Sequence, residues 1–428
     1  MTVGAEKMTP GDWFGQPRGL TVLFLTEMWT QFSFYGMRAL LVLYMTKQLL
    51  IPQQKASWIY GGYAAMVYLM PIFGGIIADR WIGRRNAVIL GAVIMTAGHF
   101  LMSFENLLYV ALATIAIGNG LFLPSLPSQI DGLYAREDPR RASAYTVYYV
   151  GINVGAFAAP LVVGTVGELV GFHYGFAIAG IGMIIAIATY LLGAGYLPKD
   201  RLRAERKATV AMGALTSSAV MRRFALLAGI AGAVVVFRGG YEQIGNTVTL
   251  WADQDVNRHV AGGFVIPITW FQALNPLIVF TLSPVLIALW TRSAAKGRSQ
   301  SAVVRMVIGA LLVAASFFLI SAVSMAPGLV AWPWLAAFIV LMTIGELFIL
   351  PIGLGLFGRL APDGLDATTI ALWYSAGFAG NLIAAWLGGF FSVLDGPWFF
   401  LLIGGVIMGS AALLAAIASP ARRAEATA

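Results

Sequence analysis

Apolar side chains occur along this chain in blocks, not in alternation. Twelve mostly apolar stretches of roughly twenty or more residues follow one another, at about 20–46, 58–78, 87–104, 107–131, 142–167, 174–197, 224–251, 262–290, 303–325, 332–358, 367–391 and 398–419. A helix rising 1.5 Å per residue crosses a hydrocarbon layer about 30 Å thick in about 20 residues. A transmembrane strand needs only about ten residues and alternates strictly, a pattern the chain lacks. The blocks predict twelve membrane-spanning helices.

Composition agrees. The 428 residues are 59% hydrophobic and 11% charged, whereas globular domains average about 25% charged residues. The net charge of +8 could suggest a nucleic-acid partner, but its placement excludes one. With the N-terminus in the cytoplasm, 22 of the 27 Lys and Arg side chains fall in loops and ends on that side. Lys47, Lys55 and Arg258 fall outside, and Arg38 and Arg238 lie within spans. Cytoplasmic loops of membrane proteins carry such an excess, so the expected location is a bacterial inner membrane with both termini cytoplasmic. The first nineteen residues contain no apolar core of a signal peptide. Zero Cys removes disulfides and thiolate chemistry. His99 and His173 are expected at the membrane interface and His259 in an outer loop, none with zinc-ligand spacing. GLGLFG at 353–358 satisfies a dinucleotide motif but follows no strand. No cofactor or metal is expected.

The polar segment 198–223 divides the chain into an N-terminal six-helix bundle, 1–197, and a C-terminal one, 224–428. A basic turn recurs between the second and third spans of each half: GGIIADRWIGRR at 74–85 and SPVLIALWTRSAAKGR at 283–298. Duplicated halves of this kind suit carriers that rock around a central site.

Ionisable groups inside a span cost about 2.5–3.5 kcal/mol each on insertion scales and mark functional sites. The deep ones are Glu27 and Arg38 in span 1, Arg238 and Glu242 in span 7, and Glu346 in span 10, while Asp131 sits at the cytoplasmic end of span 4. Glu27 and Arg38 are three turns apart on one stripe, and Arg238 and Glu242 are spaced i, i+4. These five charges are expected to converge on a substrate and ion pathway; helix pairing without function is the alternative.

The stretch Gly74–Gly98 resembles the motif between spans 2 and 3 of the Major Facilitator Superfamily, and more closely a signature of its proton-dependent oligopeptide transporters. Tyr145–Phe157 resembles that family's FYxxINxG segment, and Tyr241–Asp253, Pro267–Phe280, Thr343–Pro362 and Ala371–Asn381 resemble its spans 7, 8, 10 and 11. The resemblance covers nearly the whole chain. It implies an all-α Major Facilitator fold of twelve transmembrane helices in two bundles, in which Gly75, Asp79, Arg80, Gly83, Arg84 and Arg85 form a gating motif. It also implies that Glu346, Asn153 and Asn275 receive a peptide's N-terminus. Tyr35, Tyr60, Tyr68, Trp270 and Trp373 match cavity-lining positions.

The chain departs from that family at charged positions. The span 1 pattern ExxERFxYYG reads here from Glu27 to Gly36, with Thr30 for the second Glu and Gln31 for the Arg; the span 4 lysine is Leu123. Losing the charges together avoids stranding a buried one. Arg238 stands where the family usually has Trp, so it is expected to take over part of the missing cationic role and bind substrate; pairing with Glu242 alone is the alternative.

The expected function is therefore proton-coupled symport of di- and tripeptides or peptide-like solutes by a monomer. Glu242 is the titrating gate paired with Arg38, and Glu27 is a second proton site. One rival is a carrier of the same fold with altered or no proton coupling, moving peptide derivatives without a free carboxylate; the other is a non-transporting membrane receptor. No enzymatic motif is present.

Overall fold

A computed structural model describes residues 15–135, 138, 140–198, 218–260, 262–297, 300–362 and 365–426. Most of the expected linker, the N-terminal fourteen residues, Arg136 and Arg298 lie outside them. Twelve long helices occur among the described residues, in the order the apolar blocks predict. They are α1 Arg18–Leu43, α2 Gln53–Ile82, α3 Arg84–Leu101, α4 Glu105–Leu133, α5 Ser143–Leu169, α6 Phe172–Leu192, α7 Val220–Gln254, α8 Ile268–Ala295, α9 Ala302–Val323, α10 Trp332–Leu360, α11 Thr368–Ser392 and α12 Gly396–Glu425. All but α1 and α3 contain an apolar stretch long enough to cross a membrane on those grounds alone. α1 carries Glu27 and Arg38 in its length, and α3 opens on two arginines.

Helix ends differ from the apolar blocks where turn chemistry intervenes. α8 begins at Ile268 and not near 262, because Gly262 and Gly263 adopt φ of 87° and 79°. Pro267 then leads into the helix in an extended conformation. Two helices are interrupted at depth. In α7 a 3₁₀ turn occupies Glu242–Gly245 before helix resumes at Thr247. In α10 the first segment ends at Leu347 and the second starts at Leu350, with Pro351 in its first turn. Proline has no N–H to give and suits a helix start. Irregular backbone within a membrane is tolerated where it is buried in protein or lines a polar cavity.

The chain forms two compact units. The first comprises Met1–Met37, Met70–Val163 and His173–Glu205, and the second comprises Arg38–Leu69, Gly164–Phe172 and Arg206–Ala428. Pieces of the N-terminal sequence half thus belong to the second unit. The first unit packs Leu20, Leu23, Val88, Met95, Phe122, Ile130, Tyr148 and Met183 into one core. Its helices approach through small residues, as membrane helices do in the absence of a hydrophobic drive between them. His99 is fully buried on α3 with both ring nitrogens unbonded, a correction to its expected interfacial place. Gly91 of α3 lies against the Gly118 backbone of α4 and Gly98 against Ile115, so the two helices approach closely. In the second unit Trp251 of α7 meets Phe400 of α12, and Phe317 of α9 meets Phe338 of α10, edge to face, while Phe317 and Phe400 lie tilted to one another.

A methyl group on Gly74 of α2 would collide with the Gly120 carbonyl oxygen of α4, whereas one on Gly75 would meet Pro124 at an ordinary 3.6 Å. Backbone cannot rotate away, so Gly74→Ala must push α2 off α4. Overpacking of this kind costs about 1–3 kcal/mol. In detergent, Gly74→Ala should melt several degrees below wild type and Gly75→Ala close to it; equal melting temperatures would refute this assignment of the close contact.

Candidate functional site

The charged spans of the second unit meet around one carboxylate. Glu242, buried at the start of the 3₁₀ turn in α7, accepts from Arg38 Nη2 at 2.6 Å with Oε2 and from Arg238 Nη1 at 2.8 Å with Oε1. Arg38 Nε also donates to the Tyr60 hydroxyl at 2.7 Å. Arg238 Nη1 donates to the Tyr68 hydroxyl at 2.8 Å, and its guanidinium lies 4.8 Å from that ring's centre. Both arginines therefore bind a carboxylate oxygen and a tyrosine from α2. Tyr68 in turn lies 6.5 Å from Tyr374 of α11 and covers Gly377 so closely that a methyl group there would collide with its ring.

A second acid stands nearby on α10. Glu346 occupies the last turn before the break and accepts from Asn275 Nδ2 at 2.6 Å. Asn275 also donates to Thr343 Oγ1 at 3.0 Å, while Thr343 donates to Ile339 O at 2.7 Å. The Tyr241 hydroxyl bonds Glu346 as well, and both Arg238 and Glu242 lie within electrostatic range of it. Trp373 is buried against Phe357 and the face of Gly353, so it packs the wall of α11 and α10. Trp270 donates to Thr165 at 2.7 Å. The structure thus brings together Arg38, Arg238, Glu242, Glu346, Asn275, Tyr60 and Tyr68.

Glu27, Asn153 and Tyr35 belong to the first unit. Gln31, which replaces the arginine of the span 1 pattern, donates to Glu27 Oε1 at 2.6 Å. The Tyr148 hydroxyl of α5 is its other hydrogen-bond partner. Both are neutral. Thr30, in place of the second acid, bonds back to Thr26 O at 2.9 Å. Asn153 is buried and spends its Nδ2 on Tyr149 O one turn back. The Tyr35 ring lies edge-on to Phe34, 5.4 Å away.

At the basic turn, Arg84 Nε holds Asp79 at 3.1 Å and its Nη1 reaches Ser128 O of α4 at 3.2 Å. Arg85 donates to Ala194 O, and Arg80 is exposed. Gly83 takes φ of 80° between α2 and α3, a conformation that favours glycine. Asp131 accepts from Arg141 at 2.8 Å and Tyr145 at 2.9 Å. Outside the spans, the side-chain hydrogen bond from Arg140 holds the Asp138 carboxyl below its ordinary range. Among the described residues no group of three or more His, Asp or Glu is placed to hold a metal ion.

One residue here has no place in the sequence reading. Glu168, at the end of α5, accepts from the backbone of Ile268 at 2.9 Å and of Thr269 at 2.8 Å, and from the Thr269 hydroxyl at 2.6 Å. Its carboxylate caps α8 and complements the positive end of that helix's dipole. Its sequence signal is faint: an acid just before the Gly171 turn, a hundred residues from the helix it caps. Tyr241 and Thr343, the neighbours of Glu346, were likewise indistinct among many span residues.

A sequence model of the POT family matches residues 85–225 and 204–397. A di-/tripeptide transporter of Lactococcus lactis subsp. cremoris is 30% identical over 94% of this chain and 95% of that protein. The peptide transporter YePEPT of Yersinia enterocolitica is 31% identical over 89% of each. A crystal structure of a peptide transporter in complex with sulfate superposes with a TM-score of 0.90 at 29% identity, covering 96% of each chain. A POT family transporter in complex with 5-aminolevulinic acid gives 0.86 at 25%, covering 96% of this chain and 98% of that one.

Hydrogen bonds to a charged group contribute about 1.5–3 kcal/mol, and stranded donors add a penalty. Glu168→Ala should therefore lower the melting temperature by several degrees, with Glu168→Gln intermediate because an amide oxygen still accepts. Unchanged melting in both variants would show that the cap contributes nothing.

Proposed function

The chain belongs to the POT family of membrane transporters, and from that premise we propose that it carries small peptides or peptide-like solutes by alternating access, driven by a proton gradient. The carrying observation is the single carboxylate of Glu242 between two arginines from different sequence halves, Arg38 and Arg238. Protonating that carboxylate removes the anion that holds both guanidinium groups. Arg38 then loses its tie to α7, and the contact joining α1 to the C-terminal half weakens. Two unmatched cations side by side in a low dielectric repel strongly, so a proton is a sufficient trigger.

The moving bodies in this reading are the sequence halves 1–197 and 224–428, joined by 198–223. They rock about a site near the membrane midplane, with both termini in the cytoplasm of a bacterial inner-membrane protein that works as a monomer. The turn at Gly75, Asp79, Arg80, Gly83, Arg84 and Arg85 serves as the cytoplasmic gate. Glu346 with Asn275 receives a substrate ammonium group, since a carboxylate and an amide oxygen supply acceptors in a place water does not easily replace. Asn153, Tyr35, Tyr68 and Trp373 line or support the substrate path. Glu27 serves as a second proton site: its partners Gln31 and Tyr148 are neutral, so no cation competes with the proton there.

The same neutral shell favours a second reading, a carrier of this fold whose transport is not driven by protons, because the span 1 charges that would respond to Glu27 are absent. Reconstituted liposomes separate the two. Glu242→Gln should abolish accumulation of a dipeptide under an imposed proton gradient while leaving counterflow exchange within a few-fold of wild type. Accumulation by the variant, or wild-type uptake indifferent to the gradient, would favour the uncoupled carrier.

A further inference from the structure

An arginine has five N–H protons, and their allocation at Arg238 is uneven. The two on Nη1 serve the Tyr68 hydroxyl and Glu242 Oε1. Among the described residues Nε and Nη2 make no hydrogen bond, and neither is among the sealed, unpartnered polar atoms of the interior. The unused pair forms the side-on edge of the guanidinium, where two parallel N–H groups match the two oxygens of a carboxylate. Tyr68 and Glu242 fix the plane of the group from the opposite edge, so the fork is held in place before anything binds.

The charges point the same way. Arg38 and Arg238 share one carboxylate, which leaves this cluster one positive charge in excess while Glu242 is ionised. Glu346, within electrostatic range of Arg238 and bonded to Asn275, places a second acid beside the cluster. With both acids ionised the polar heart of the second unit is neutral as a whole, with separated poles. A solute carrying one charge would leave one pole uncompensated in a poorly hydrated place, whereas a zwitterion compensates both.

The geometry points to the Nε/Nη2 edge of Arg238 as the bidentate dock for the carboxylate of the transported solute, so that Arg238 selects zwitterions bearing a free carboxylate. This rests on the reading of the chain as a carrier of peptides or peptide-like solutes. The dock lies one helical turn from Glu242, on the guanidinium that Glu242 orients. Occupying it brings an anion to Arg238 without displacing Glu242 from Nη1.

Calorimetric titration of purified full-length protein at a single pH tests this, using alanyl-alanine and its C-terminal amide as ligands. Wild type should bind the free acid about tenfold or more tightly than the amide, the factor expected for a charged hydrogen-bonded contact. Arg238→Lys keeps the charge but has no fork. It should lose most of that preference, and cooperative thermal unfolding shows that the variant folds. Arg238→Gln should abolish the preference. Tyr68→Phe, which removes one anchor of Nη1 and leaves the charge, should reduce the preference several-fold and serves where the arginine variants do not fold. Full preference retained in Arg238→Lys or Arg238→Gln, in Tyr68→Phe where the arginine variants do not fold, or equal binding of both ligands by wild type, would overturn the assignment and leave peptide transport standing. Wild type that binds neither ligand and takes up no peptide in liposomes would overturn both.

Discussion

The polar interior of the second unit depends on one carboxylate answering two guanidinium groups. In hydrocarbon surroundings a charge is tolerable only when paired and hydrogen-bonded. Glu242 meets that condition for Arg38 and Arg238 at once, through a different oxygen for each. The two tyrosines of α2 complete each arginine's shell and tie α2 to the same point. Removing the acid strands two cations. Removing one arginine leaves the other pair intact. The cluster therefore depends more on Glu242 than on either arginine.

The backbone serves the same arrangement. Glu242 begins the 3₁₀ turn that interrupts α7, and Glu346 ends the first segment of α10, just before Pro351 restarts the helix. Interrupted helices place unpaired backbone groups and acidic side chains together at depth, as transporters do at their midplane sites. The cap that Glu168 provides to α8 is the outlying member of this scheme, since it binds another helix start with a charge. Asn275, two turns into α8, reaches Glu346 from the helix so held.

Much of this was legible beforehand. The apolar blocks located all twelve helices within a few residues, and they erred at 262–267, where a Gly-Gly turn rather than polarity sets the start of α8. The rarity of buried charge singled out Arg38, Arg238, Glu242 and Glu346, and the i, i+4 spacing of Arg238 and Glu242 correctly paired them. Glu27 and Arg38 share one stripe of α1 by spacing, and their described hydrogen bonds fall in different units. His99 near a span end reads as interfacial, yet it is fully buried on α3. Trp373 and Asn153, read as site residues, spend their described contacts on Phe357 and Tyr149.

Alone, the sequence determined the solvent of this chain, its count and order of helices, and which few side chains had to be chemical, because hydrophobicity and charge are local properties that a bilayer sorts without reference to neighbours. Tertiary structure decided which of those side chains share a partner. That Glu242 serves two arginines, that Gln31 replaces a cation with a neutral donor to Glu27, and that Glu168 caps a helix a hundred residues away follow from contacts at long sequence separation. Periodicity carries no record of such contacts. Hydrogen bonds depend on tenths of an ångström, and that precision exists only once the helices are packed.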